Sequence, residues 1–187
     1  NSLLSPISMH IKQGEKIAII GESGSGKTTL LNIIHGEETP TSGQISFAGQ
    51  NLSRKEITIF SSYILQDSHY FDTLSLEDNI LLGLDKKEER LNHILKTTGL
   101  EHLKNRTLSN DSLSGGEKQR LEIARALYHD SQLILADEIK ANLDSENSRK
   151  ISDLLFSLPQ TVIEVIHHYT EEDLKHYDQV IHLSKEK

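Results

Sequence analysis

An α/β fold with a largely parallel central sheet and an inserted helical lobe is predicted by three observations. Apolar or β-branched runs of strand length recur at 16–20, 43–47, 58–65, 132–136, 161–166 and 179–183. Helical stretches lie between several of them, and from about residue 70 to 128 the pattern turns to helix. Strands alternating with helices call for crossover connections and hence parallel neighbours. The 187 residues read as one domain, with a core lobe of about 1–69 and 129–187 and a helical lobe of about 70–128.

In chain order, Lys16-Ile17-Ala18-Ile19-Ile20 is an apolar strand that runs into Gly21-Glu22-Ser23-Gly24-Ser25-Gly26-Lys27-Thr28 and then into the helical stretch Thr29-Leu30-Leu31-Asn32-Ile33-Ile34. This is a complete G-x-x-x-x-G-K-[ST] loop in its strand-loop-helix setting. The glycines let successive N–H groups point into one concavity, and the positive end of the following helix favours anionic oxygens there. A nucleoside triphosphate fits that field, with Lys27 neutralising the β- and γ-phosphates and the Thr28 hydroxyl a ligand for Mg²⁺. Thr39-Pro40-Thr41-Ser42-Gly43 is turn chemistry before the next strand. Leu91, Ile94 and Leu95 fall at i, i+3 and i+4, and Gly99 follows as a C-cap.

Leu113-Ser114-Gly115-Gly116-Glu117-Lys118-Gln119-Arg120 opens a helix-forming stretch, Leu121 to Leu127. Its serine and two glycines make a second helix start suited to an anion. Gln132-Leu133-Ile134-Leu135-Ala136-Asp137-Glu138 is a buried strand that ends in two acids. The carboxyl edge of an α/β sheet is where ligands sit, so Asp137 is placed for Mg²⁺ and Glu138 for polarising an attacking water.

Composition excludes several classes. A net charge of -8 and pI near 5.7 argue against a surface built for nucleic acid. No apolar run approaches the length of a membrane span, and no secretory pattern opens the chain. The absence of cysteine removes disulfide and thiolate-metal chemistry, and the ten histidines show no paired-ligand spacing on a predicted helix.

With these residues in place the chain resembles the ATP-binding cassette ATPases over essentially its whole length. Walker A is Gly21 to Thr28, the glutamine loop is Gln66 in Tyr63-Ile64-Leu65-Gln66-Asp67, and the signature is Leu113 to Glu117. Walker B ends at Asp137 and Glu138, the D-loop is Ala141-Asn142-Leu143-Asp144, and the switch histidine is His167. The resemblance implies a P-loop NTPase (RecA-like) core that binds ATP with Mg²⁺. It implies nucleotide contacts from Gly21, Glu22, Ser23, Gly24, Ser25, Gly26, Lys27, Thr28 and Thr29, with Gln66, and with Ser114, Gly115 and Gly116 of a second cassette packed head to tail. Thr28, Gln66 and Asp137 would hold the metal, and Lys27, Glu138 and His167 would be catalytic.

The segments Gln66 to Thr73 and Glu77 to Gly83, with His167-His168 and Tyr177 to Leu183, look like the exporter branch. That likeness implies a transmembrane partner fused N-terminally, a place on the cytoplasmic face of the cell membrane, and no nucleic acid partner. A first residue of Asn1, with Met9 the sole methionine, suggests an excised piece of such a protein. A free-standing cassette subunit and an ATP-gated clamp on DNA or the ribosome are the alternatives. The chain departs from the family pattern at Ile139, where proline is usual, and at Ala141, where the D-loop has serine. The aromatic residue that stacks on adenine would fall before Asn1, so weakened but surviving ATP affinity is expected.

Overall fold

The computed structural model describes residues 6–47, 49–109 and 112–184. The outer ends of the predicted core lobe, 1–5 and 185–187, lie outside the described residues. The chain divides into two compact units: residues 1–63, 132–138 and 159–187 form the first, and 64–131 and 139–158 the second.

The first unit is built on strands β1 (Lys16–Gly21), β5 (Leu133–Asp137), β6 (Thr161–Val165) and β7 (Gln179–Leu183), and β4 (Ser61–Leu65) begins in it. The sheet order is β4-β5-β6-β1-β7, and the β5–β6, β6–β1 and β1–β7 pairs are parallel. Side chains of β1 alternate between two faces. Ile17 and Ile19 meet Leu30, Leu31 and Ile34 of α1 (Lys27–His35), together with Leu133, Leu135, Ile163 and Val165. Ala18 and Ile20 pack with Ile166 on the other face. A strand covered on both faces is apolar throughout, and β1 is buried over its first five residues.

Register then sets the site. Ile19 stands beside Val165, and Val165 beside Asp137. The phosphate loop after β1, the acids at the end of β5 and the residues after β6 therefore leave the sheet at one level.

The strand expected at 43–47 is reduced to β2 (Ser46–Phe47), which pairs antiparallel with β3 (Gln50–Asn51). The run expected as a strand over 58–65 is a correction in its first half. Residues 54–60 form α2 (Arg54–Phe60), and only Ser61–Leu65 is extended. Two features override the β-branched sequence Ile57-Thr58-Ile59. Ser53 and Glu56 make a complete capping box, and the Arg54 guanidinium donates to the carbonyls of Gly36 and Glu37 at the end of α1. Ile57 is buried while Ile59 points to solvent.

The second unit contains α3 (Leu76–Leu81), α4 (Glu88–Thr98), a 3-10 turn at Glu101–Leu103, α5 (Gly115–Tyr128) and α6 (Ser145–Ser157). Leu91, Ile94 and Leu95 join Leu76, Ile80, Leu100, Leu121 and Ala124 in its core, and Gly99 caps α4 at φ 67°. Asn79 is fully buried and holds the Phe71–Ser75 loop through Phe71 N–H, Phe71 O and Ser75 O. Among the described residues no helix is long and apolar enough to cross a membrane.

Candidate functional site

The loop between β1 and α1 begins with a close approach. A Cβ on Gly21 would lie 2.3 Å from the Leu183 carbonyl oxygen and 2.8 Å from Ser25 Oγ, so glycine is required there. At the other end Gly26, at φ 89°, is the N-cap of α1 and gives it no side-chain hydrogen bond. By contrast α2, α3, α5 and α6 are capped by Ser53, Ser75, Ser114 and Asp144. The first intrahelical bond of α1 is Leu30 N–H to Gly26 O. The amides of Lys27, Thr28 and Thr29 thus remain as donors at the positive end of the helix.

Lys27 is buried and donates to the carbonyls of Gly21 and Glu22, both at 2.9 Å. An ammonium carries three N–H groups, so the arrangement fixes its position and keeps one donor for an anion. Ser25 is buried with an Oγ that has no hydrogen-bond partner. Glu22, Ser23 and Gly24 are exposed on the outer turn.

Asp137 ends β5 and is buried. Its Oδ2 accepts from Thr28 Oγ1 at 2.8 Å and from the Tyr63 hydroxyl at 3.2 Å, while Oδ1 is buried without a partner. A carboxylate with one oxygen accepting two bonds and the other bare is a cation-facing arrangement. Among the described residues no three acidic, His or Cys side chains gather as a metal cage. The Asp137 carboxylate beside the Thr28 hydroxyl fits Mg²⁺, which is held by one or two carboxylates together with phosphate oxygens and water. The loop, Lys27, Thr28 and Asp137 therefore fit a magnesium-bound triphosphate.

Glu138 follows in a left-handed conformation, φ 54°. Non-glycine residues reach that region at a cost of about 1–3 kcal/mol, typically where function needs a side chain re-aimed. Here the turn directs the carboxylate to His167, whose Nε2 lies 2.8 Å from Glu138 Oε1. Both side chains keep nearly a third of their surface accessible, 29% and 31%. The pair can hold and orient a water and accept its proton.

The remaining predicted residues belong to the second unit. Gln66 lies just after β4, and its carbonyl accepts from Gln119 Nε2 at 2.8 Å. Ser114 caps α5, whose first two residues are Gly115 and Gly116. Glu117 closes back on this helix start: its Oε2 accepts from Ser114 N–H at 2.8 Å and Ser114 Oγ at 2.7 Å, and its Oε1 contacts His102 Nε2 at 2.8 Å. Burial alone would raise the Glu117 carboxyl, but the bonds from Ser114 and His102 outweigh it and hold the pKa below the ordinary value. The anion at the mouth of α5 is thus the chain's own Glu117.

Sequence reading missed two participants. Tyr63 was visible only as part of the glutamine-loop motif, and nothing in its spacing announces a contact with Asp137, 74 residues away. His102 carries no motif at all. One departure is accommodated in the core: Ile139 is 1% exposed.

Known proteins resemble this chain in sequence and fold. A family model described as ABC transporter matches residues 4–141. The chain is 41% identical over 169 residues to the ABC transporter ATP-binding protein YxdL of Bacillus subtilis (strain 168), covering 83% of this chain and 65% of that relative. It therefore spans less than two-thirds of that relative's length. Among solved structures, cbiO1 from Clostridium perfringens, described as part of the ABC transporter complex cbiONQ, superposes with a TM-score of 0.85 at 28% identity, covering 97% of this chain and 78% of that one. The ADP conformation of MJ1267, an ATP-binding cassette of an ABC transporter, gives a TM-score of 0.84 at 24% identity over 97% of this chain and 81% of that one, a likeness of fold.

Proposed function

We infer, from the premise that this chain belongs to the ABC transporter family as one of its ATP-binding domains, that it hydrolyses ATP to drive a transporter. The observation that carries the reading is the convergence of Lys27, Thr28, Asp137, Glu138 and His167 at one edge of the β5-β6-β1 sheet.

Gly21 to Thr29 would hold the phosphates through backbone amides, and Lys27 would offset their charge. Thr28 and Asp137, with Gln66, would hold the Mg²⁺, which when bound neutralises charge on the β- and γ-oxygens. Glu138 would accept a proton from the attacking water, and His167 would position that water with it; for His167 Nε2 to turn to the γ-phosphate, its contact with Glu138 has to be exchanged. Catalysis by this set rests on positioning and charge stabilisation, with no covalent intermediate. Ser114, Gly115 and Gly116 of a second copy or a related cassette would cover the nucleotide, making ATP the contact between two chains. For Ser114 to give its hydroxyl hydrogen to that phosphate, its bond to Glu117 has to be exchanged. Loss of the γ-phosphate would release the pair.

Export as the direction, and a transmembrane partner at the cytoplasmic face of the cell membrane, follow from the exporter-like segments 66–73 and 77–83. A separate ATP-binding subunit is the second reading, favoured by the likeness to YxdL, named as an ABC transporter ATP-binding protein.

The test is ATP hydrolysis by the purified chain over a range of protein concentrations, with Glu138→Gln in parallel. A rate that climbs faster than linearly and disappears in the variant is expected. Mg²⁺-independent turnover, or none at any concentration, overturns the reading.

A further inference from the structure

The hydroxyl of Tyr63 and that of Thr28 both donate to one oxygen of Asp137, at 3.2 and 2.8 Å, and the other oxygen is left bare. A carboxylate held by a single bond can swing about it; two donors on Oδ2 from opposite elements, α1 and β4, remove that freedom. The Tyr63 ring is itself held. His35 meets it edge-on, with centroids 5.5 Å apart at 71°, and His35 Nδ1 lies 2.7 Å from Ser61 Oγ. Ser61 gives its one hydroxyl hydrogen to Ile57 O at 2.8 Å, so Ser61 accepts from His35 and Nδ1 carries the proton. Burial pushes the His35 pKa down, against a smaller opposing pull from Glu37. The hydrogen bonds from His35 through Ser61 to Ile57 thus hold the imidazole in place, and the imidazole supports the Tyr63 ring by packing.

We propose that Tyr63 is a positioning residue for the metal-facing carboxylate: with Thr28 it pins Asp137 Oδ2, so that Oδ1 is presented as the free acceptor for the cation and its water. This deepens the proposed ATPase reading and rests on it. A purely structural Tyr63 would contribute through its ring, which packs with the Ile17, Ile19 and Leu135 cluster, and the hydroxyl would be dispensable.

Tyr63→Phe separates the two, since it keeps the ring and removes only the donor. The first readout is Mn²⁺ affinity, followed by electron paramagnetic resonance, of the protein loaded with a non-hydrolysable ATP analogue. Loss of a group that orients a metal-facing carboxylate weakens binding roughly tenfold, while analogue affinity in chelator stays unchanged. The same variant should raise the Mg²⁺ concentration for half-maximal hydrolysis, with kcat at saturating Mg²⁺ nearly restored. Unchanged Mn²⁺ affinity, or an equal loss of metal-free nucleotide binding, overturns the proposal. The second readout is the ultraviolet resonance Raman difference between wild type and Tyr63→Phe, which reports whether the phenol donates to a carboxylate. Should wild type bind no Mn²⁺ with the analogue and hydrolyse no ATP, the ATPase reading fails by itself. The Raman difference then decides the Tyr63 geometry, a donor signature supporting it and an acceptor or water-like signature overturning it.

Discussion

Gly21→Ala is the perturbation whose cost the structure defines most sharply. The new methyl would sit 2.3 Å from the Leu183 carbonyl oxygen, against a comfortable separation of roughly 3.5 Å, so about 1 Å of overlap has to be relieved. The obstacle cannot rotate away, because Leu183 is paired with Gly21 in the β1–β7 ladder. Overpacking costs about 1–3 kcal/mol, and a fixed backbone obstacle belongs at the top of that range. With a urea dependence of about 2 kcal/mol per molar, the unfolding midpoint should fall by about 1.5 M. The matched control is Gly116→Ala, where the methyl would meet Asn147 Oδ1 at 2.7 Å and Cγ at 2.9 Å. That amide gives up only an exposed bond to Asp144 Oδ2 when it turns, and replacing a helical glycine recovers about 0.5–1 kcal/mol, so the control should stay near wild type. Equal midpoints for Gly21→Ala and wild type, or a control that falls as far, would refute the distinction between backbone and side-chain obstruction.

His167→Ala should lower the hydrolysis rate by about 10²-fold or more, and the double variant with Glu138→Gln should lose little beyond either single one, because the two act on one water; single-turnover rates read this, and multiplicative losses would separate their roles. Glu117 gives a pH prediction. Its folded pKa is depressed, so it adds stability above the ordinary carboxyl value that is lost as pH falls through the folded one. The urea midpoints of wild type and Glu117→Gln should therefore differ at neutral pH and converge as pH falls below the ordinary carboxyl value; a gap independent of pH would remove Glu117 as its source.

How much could be read beforehand depended on how far the partners lie along the chain. The loop from Gly21 to Thr28 is contiguous, and the role proposed for it rests on backbone amides of consecutive residues, so its spacing alone marks it. The acids at the end of β5 were legible for a similar reason: an apolar run that stops at Asp137-Glu138 marks both the strand and its edge. The α4 stripe of Leu91, Ile94 and Leu95, with Gly99 after it, is likewise local periodicity and a local cap.

What the sequence by itself determined was therefore the fold class and the positions of the loop and of the candidate side chains, since each is written in neighbouring residues. Only the tertiary structure decided which of those side chains meet. Sheet register sets Asp137 level with Val165 and Ile19, and that alignment brings Thr28 and Tyr63 to one carboxylate oxygen across 109 and 74 residues. It also decided α2, where the Arg54 contacts with Gly36 and Glu37 outweigh the preference of Ile57-Thr58-Ile59 for a strand. The physical reason is common to these cases: local propensity amounts to tenths of a kcal/mol per residue, whereas burial and hydrogen bonds between distant segments exist only once the chain has closed on itself.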